Sequence, residues 1–239
     1  MAFIWRLTYA GLAVASLSGV FTGQARAAAD GQSDGVIHLA GDISIVSDYR
    51  RNGVTRSDSK PAIQGELDVL GQGWSGGVFA STTKSYRGGD YELEVFAGKD
   101  AAVGRTHVEL SGHAVVFPGS RNANFGFAQL SASRVIGPVD ASISAKYWWE
   151  QKSLNHRDNR TVSIKARTPV GRVLGAPLTL GAGVGWSQGY FAIEGHKFDW
   201  SASAVARIRG LDVGLTYSDT TLDNPRGDPA VVFSLTRHF

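Results

Sequence analysis

The chain has 239 residues, a formal net charge of +3, 30 glycines and no cysteine, with a mean hydropathy of -0.09. The length suits one sizeable domain. The lack of cysteine excludes a disulfide framework and a thiolate metal site, and the small, dispersed charge has no basic run of the kind that grips nucleic acid.

Residues 1–29 have the layout of a cleaved secretory signal peptide. Arg6 supplies the positive charge, 7–21 an apolar run, and Ala25-Arg26-Ala27 or Ala27-Ala28-Ala29 a small-x-small cleavage pattern. The run is too short for a comfortable membrane span. A single exported domain is therefore expected over 30–239.

From there the dominant signal is a period of two. In 36–47, Ile37, Leu39, Gly41, Ile43 and Ile45 oppose His38, Ala40, Asp42 and Ser44. In 61–69, Ile63, Leu67 and Val69 oppose Gln64, Glu66 and Asp68, after a long polar loop over 48–60. Strands follow at 74–82, at 91–99 (Glu92 and Glu94 against Tyr91, Leu93 and Val95) and at 105–116 (Arg105, His107, Glu109 and His113 against Thr106, Val108 and Leu110). The strand at 124–134 has mixed faces, and its register is open. Those at 139–149, 161–168, 178–186, 198–208, 211–217 and 231–239 complete the set.

Twelve strands, an even number, suit an all-β transmembrane antiparallel up-and-down barrel with both termini on one side. The terminal strand ends on Phe239 with Leu235, Phe233 and Val231 on the same face, and an unpaired edge there would be an aggregation hazard. Its economical partner is the first strand. With the N-terminus in the periplasm, short turns near 70–73, 100–104, 135–137, 169–176 and 209–210 fall on one side and longer polar loops on the other. Tyr49, Tyr91, Phe117, Tyr147, Trp149, Trp186, Phe198, Trp200 and Tyr217 then gather at the outer ends, with Trp74 and Phe239 at the periplasmic ends. This is the pattern of two interfacial girdles. A soluble sandwich or lipocalin-like barrel would instead pack those aromatics unevenly at one end of a core. The localisation that follows is the Gram-negative outer membrane, with its lipids, and the barrel-insertion machinery reading the C-terminal strand, as partners.

The run Ser-Asp-Tyr-Arg-Arg-Asn-Gly-Val-Thr-Arg-Ser-Asp-Ser-Lys-Pro-Ala-Ile-Gln-Gly over 47–65 resembles the N-terminal signature of the TorF-like family of proteobacterial porins. The shared elements are Ser-Asp-Tyr, an arginine-bearing stretch, Gly, a hydroxyl residue and Pro-Ala-x-Gln-Gly. The likeness continues into 74–81 and Tyr91-Glu92-Leu93-Glu94, while Arg51 and Asn52 stand where the pattern has an aromatic and an arginine. The resemblance implies an outer-membrane β-barrel with porin activity, and it assigns no substrate. Read physically, the 48–60 loop is either a stiff connection that sets the first hairpin or an infolded segment that narrows a pore.

On this register the inward acids are Asp42, Glu66, Asp68, Glu92, Glu94, Glu109, Asp140, Asp199 and Asp212. The inward bases are Arg105, Lys146, Lys165, Arg167 and Arg207. Twelve strands lie between a filled bore and an open channel. The expectation is a narrow water-filled pore for small hydrophilic solutes or ions, with weak cation preference because acids outnumber bases. The alternative is a plugged, non-conducting barrel with a structural or surface-binding role, its charges paired.

A lipid-modifying enzyme is a third reading, resting on His107, Glu109, Ser111 and His113 along one strand face. Alternate residues of one strand sit about 7 Å apart, and no Gly-x-Ser-x-Gly elbow is present, so no catalysis is expected. Gly181-Ala-Gly-Val-Gly185 lies inside a strand with no following helix, which removes the context of a phosphate loop. Asp219, Asp223, Asn224 and Asp228 offer oxygen ligands for Ca²⁺ or, more simply, turn chemistry around Pro225. Arg50, Arg51, Arg56, Lys60, Lys152, Arg157 and Arg160 in the outer loops could meet lipopolysaccharide phosphates or solvent. No cofactor or metal is expected.

Overall fold

A computed structural model describes residues 37–120, 122–193 and 195–239; the expected signal peptide lies outside them. Alternation wins throughout, and the twelve long strands close on themselves. They are β1 (His38–Val46), β4 (Ala62–Gly71), β5 (Trp74–Tyr86), β6 (Gly89–Val103), β7 (Thr106–Val116) and β8 (Phe125–Ile136), then β9 (Val139–Gln151), β10 (Arg157–Val173), β11 (Ala176–Gly189), β12 (His196–Ile208), β13 (Leu211–Thr220) and β14 (Ala230–His238). Each pairs antiparallel with its sequence neighbours. β14 closes on β1, with Asp42 opposite His238 and Val46 opposite Ser234. Two short strands, β2 (Arg50–Arg51) and β3 (Val54–Thr55), form a separate ribbon inside the first loop.

The outer face is apolar and the inner face polar. Leu39, Ile43, Ile45, Ile63, Leu67 and Val69 are exposed, whereas Ser44, Gln64 and Asp68 on the opposite parity are buried. Such an apolar belt would drive association in water. In an apolar surrounding each large side chain would instead contribute ~1.5–3 kcal/mol.

One end of the barrel is stitched by five two-residue turns, whose short length fixes strand register. Gln72-Gly73, Leu174-Gly175 and Arg209-Gly210 have both residues at positive φ, as the twist of a tight hairpin demands, and Leu174 accepts φ 49 there without being glycine. The expected turn at 169–176 shrinks accordingly. Pro169 sits inside β10, where the register shifts between Pro169 and Gly171. A proline that cannot donate to the ladder is tolerated at such a bulge. Arg105, expected on the inner wall, occupies the turn between β6 and β7 and is exposed.

The aromatic rim divides. Trp74, Tyr91, Tyr147, Trp149, Phe198, Trp200, Tyr217 and Phe239 are exposed on the outer face, and Trp186 is half-buried. Tyr49 and Phe117, expected beside them, are buried inside the barrel. Tyr49 packs with Val46, Ala62, Phe79 and Val232. Phe117 joins Val115, Phe125, Phe127, Trp148 and Leu154 in a second cluster, against which Tyr86, Tyr190 and Phe191 pack. The open register of β8 resolves the same way: Phe125, Phe127 and Gln129 are buried and Leu130 is exposed. Its faces look mixed because two inward residues are aromatic.

Candidate functional site: a loop folded into the bore

The first loop does not stand out into solvent. Asp48, Tyr49, Arg50, Thr55, Arg56 and Ser57 are all buried, because the loop satisfies its own polar groups and those of the wall together. Asp48 accepts from Arg50 Nε at 2.6 Å and from Thr55 Oγ1 at 2.5 Å. Ser57 Oγ accepts from the Tyr49 amide at 2.8 Å. These bonds shape the β2–β3 ribbon, and Asn52-Gly53 turns its tip at φ 50 and 79.

Arginines then fasten the ribbon to the wall of β6. Arg51 contacts Glu92 at 3.0 Å and Glu94 at 2.6 Å, and Arg56 Nη1 donates to both oxygens of Glu92. Tyr49 OH donates to Glu92 at 3.2 Å. Burial opposes the charge on Arg51 and Arg56. The facing carboxylates outweigh it, Glu94 foremost for Arg51 and Glu92 for Arg56, and hold both guanidiniums above their usual range. Across the bore, Lys197 on β12 donates to the Asn52 carbonyl at 2.5 Å, and Arg50 Nη1 donates to the Asp228 carbonyl at 2.5 Å. The Thr55 amide donates to the Arg226 carbonyl at 2.9 Å. The ribbon therefore reaches from one wall of the barrel to the opposite one.

A cavity lies on each side of it. Asn52 lines both. One, of about 390 Å³, is bounded by Arg51, Arg56, Lys146, Lys197 and Arg226 and by the rings of Tyr86, Phe125, Phe127, Trp148, Tyr190 and Phe191. The other, of about 110 Å³, runs along β10–β14 between Arg50, Lys165, Arg167 and Asp199 and a wall of Gly181, Ser201, Ser203 and Thr216. Gly181 helps make that space: a Cβ there would lie 2.6 Å from Ser203 Oγ, and Ser203 also lines it.

Thirteen of the fourteen expected lining residues share the inner face, Arg105 being the exception, but the premise of surplus acid does not hold. Glu92 and Glu94 are matched by Arg51 and Arg56, which belong to a loop that a count of strand residues leaves out. Asp140 pairs with Arg167, and Asp212 with Arg207 and His238 at 2.6 and 3.1 Å. Lys197, itself missed at the sequence level, lies 3.5 Å from Asp199. Asp42 and Glu66 face each other across the β1–β4 ladder, with Asp68 two residues on. Glu109 is buried near Ser75, and Lys146 sits 5.3 Å above the Phe127 ring. Arg50, Arg51 and Arg56, expected among the outward loop cations, point inward, while Lys60, Arg157 and Arg160 remain exposed.

Two other sequence candidates resolve. Among the described residues no group of three or more His, Asp or Glu side chains is placed to hold a metal. Asn224 instead accepts from the Arg226 amide at 2.9 Å, as turn chemistry requires. Of the strand-face quartet, His107 turns to Asp100 at 2.9 Å. His113 forms a chain: Nε2 is 3.0 Å from Ser111 Oγ and Nδ1 is 2.7 Å from Glu94 Oε1. This has the order of a hydrolase triad. The surroundings differ. Ser111 is buried and lines neither cavity, and it is in register with Gly98 on one side and Gln129 on the other, so its backbone is committed to the sheet. His113 is stacked between Phe96 and Phe127, with centroids at 5.4 and 4.3 Å. The chain Ser111–His113–Glu94–Arg51 ties wall to loop.

The barrel is similar to solved outer-membrane porins. The KdgM porin in complex with disordered oligogalacturonate superposes with a TM-score of 0.55 at 7% identity, over 85% of this chain and 98% of that one. The NanC porin gives 0.53 at 11% identity, over 83% and 98%. At such identities the likeness is one of fold. No curated protein sequence is similar to this chain. Residues 28–239 match the family described as "Bacterial protein of unknown function (Gcw_chp)", and the chain belongs to that family.

Proposed function

We propose that this protein is an outer-membrane channel for small hydrophilic solutes, its bore narrowed by the first loop. The observation that supports it is the β2–β3 ribbon, held inside a closed barrel with a cavity on either side and Asn52 on the border of both. A barrel with only a scaffolding task can fill its interior with side chains, as eight-stranded barrels do. Here glycines and serines keep one wall of the bore clear. The TorF-like signature falls on the same segment, 47–65, so its arginine-bearing stretch is the part that enters the bore. The setting is the outer membrane: lipid meets the aliphatic belt, and the insertion machinery reads β14 and Phe239.

Single-channel recording of the refolded protein in a planar bilayer tests this reading. Discrete conductance steps are expected. Silence from protein that is folded, as judged by its heat-modifiable migration on a gel, would replace the channel with a closed, non-conducting barrel.

A further inference from the structure

The larger cavity has a composition of its own. Among its described lining residues there are five cations, six aromatic rings and no carboxylate. Arg51, Arg56 and Lys197 are matched by Glu92, Glu94 and Asp199 just outside it. Lys146 and Arg226 make no salt bridge among the described residues: Lys146 feels only Glu94, which Arg51 and His113 already hold, and Arg226 Nη1 donates to the Thr55 carbonyl at 3.4 Å. Lys146 lies over the Phe127 ring at 5.3 Å and Arg226 over Tyr86 at 5.6 Å. Trp148 adds an independent sign. It is 6% exposed, yet its indole Nε1–H meets no hydrogen-bond acceptor among the described residues. A buried donor left without an acceptor costs about 1–3 kcal/mol, and a ligand oxygen in this cavity would remove that cost.

We propose that this cavity binds a small organic anion, a carboxylate carried on a ring. Lys146 and Arg226 supply the charge for the carboxylate, and the Trp148 N–H supplies a donor. The faces of Phe127, Trp148 and Phe191 supply an apolar wall for the ring. An inorganic anion would use the cations and leave that wall idle; a ring-bearing cation would be repelled by Lys146 and Arg226. The channel reading makes this anion the permeating solute, but the binding site itself stands on the cavity alone.

Titration calorimetry on the refolded protein in detergent micelles tests it, with benzoate, glucuronate, acetate and benzylamine as probes. Saturable binding of benzoate or glucuronate, stronger than that of acetate, is expected, and which of the two prevails tells an aromatic acid from an acidic sugar. Lys146→Gln is expected to weaken binding about tenfold, the scale of one hydrogen bond to a charged group. Arg226→Gln, in a loop outside the strand ladder, is expected to do the same, losing its contacts with Tyr86 and the Thr55 carbonyl but no ladder bond. Trp148→Phe keeps an aromatic face while removing the donor, and weaker binding is expected from it too. Binding of benzylamine as strong as that of benzoate, or affinity unchanged in both cation variants, overturns the site. Calorimetry does not depend on conduction: anion binding by a silent barrel would sink the channel and keep the site, and ion flux without binding would do the reverse.

Discussion

Arg51 and Glu94 meet at 2.6 Å inside the barrel, one from a loop and the other from the wall. With the Arg56–Glu92 contact beside it, this pair anchors the first loop to the wall of β6. The charges are nearly dry, so removing one partner costs far more than a surface ion pair would.

Glu92→Gln is therefore expected to loosen the loop, because it leaves Arg56 without a carboxylate and Arg51 with only Glu94. The expected loss is about 3–5 kcal/mol of loop anchoring, seen as larger and noisier conductance steps with the barrel still heat-modifiable. Steps of unchanged size and quietness would mean that the loop is held by its far-side bonds to Lys197 and Asp228.

The loop tip offers a second handle. Gly53 has φ 79, and a Cβ there would lie 2.6 Å from Thr220 Cβ and 2.7 Å from the Asp219 carbonyl. Gly53→Val adds both a left-handed strain of about 1–2 kcal/mol and a clash with fixed backbone. The tip then cannot seat against β13, and the expected outcome is faster proteolysis within 48–60 while the strands stay protected. Protection of that segment equal to the parent's would show that β13 yields to the tip.

Much of the barrel could be read directly from period two, since every strand with one aliphatic and one polar face, such as β1 and β4, announces which way it points. The interior of the loop end could not. Phe79, Phe96, Phe125, Phe127 and Trp148 are buried aromatics on the polar parity, and they obey the packing of an infolded loop rather than contact with lipid. One clue was available: Trp148 and Trp149 are adjacent in a strand, so one of them had to face inward. Tyr49 misleads for the opposite reason, because its height suits a girdle while its loop turns into the bore. Long-range pairings such as Arg51 with Glu92, 41 residues apart, have no periodic signature.

The Ser111–His113–Glu94 chain yields a prediction about chemistry. With Ser111 buried in the ladder between Gly98 and Gln129, a substrate carbonyl has no approach to its hydroxyl, and the protein should not react with a fluorophosphonate and should not turn over phospholipid. His113→Phe preserves the stack between Phe96 and Phe127 but removes both hydrogen bonds, so it is expected to lower stability by about 1–3 kcal/mol without any catalytic readout to lose. Labelling at Ser111 that disappears in His113→Phe would show that the chain is a working triad and that the barrel opens to admit a substrate.

Closure of the barrel rests on an exchange between Gly41 and Phe239, whose amides and carbonyls bond each other at 3.0 Å in both directions. The Phe239 ring lies over Gly41, where an added Cβ would come within 2.7 Å of the ring edge. Phe239 thus covers the backbone of β1 on the apolar outer face, at the seam where β14 closes on β1. Deleting Phe239 removes the ring and this bond pair together, leaving the Gly41 amide and carbonyl without these partners; in the proposed membrane setting an unsatisfied backbone group costs several kcal/mol. The deletion is expected to lower the temperature at which folded protein converts to the unfolded gel band. Gly41→Val, which keeps Phe239 but displaces its ring, should lower it by less. If both variants melted like the parent, the seam would be held by the β1–β14 ladder from Asp42 to Val46 without help from its terminal residue.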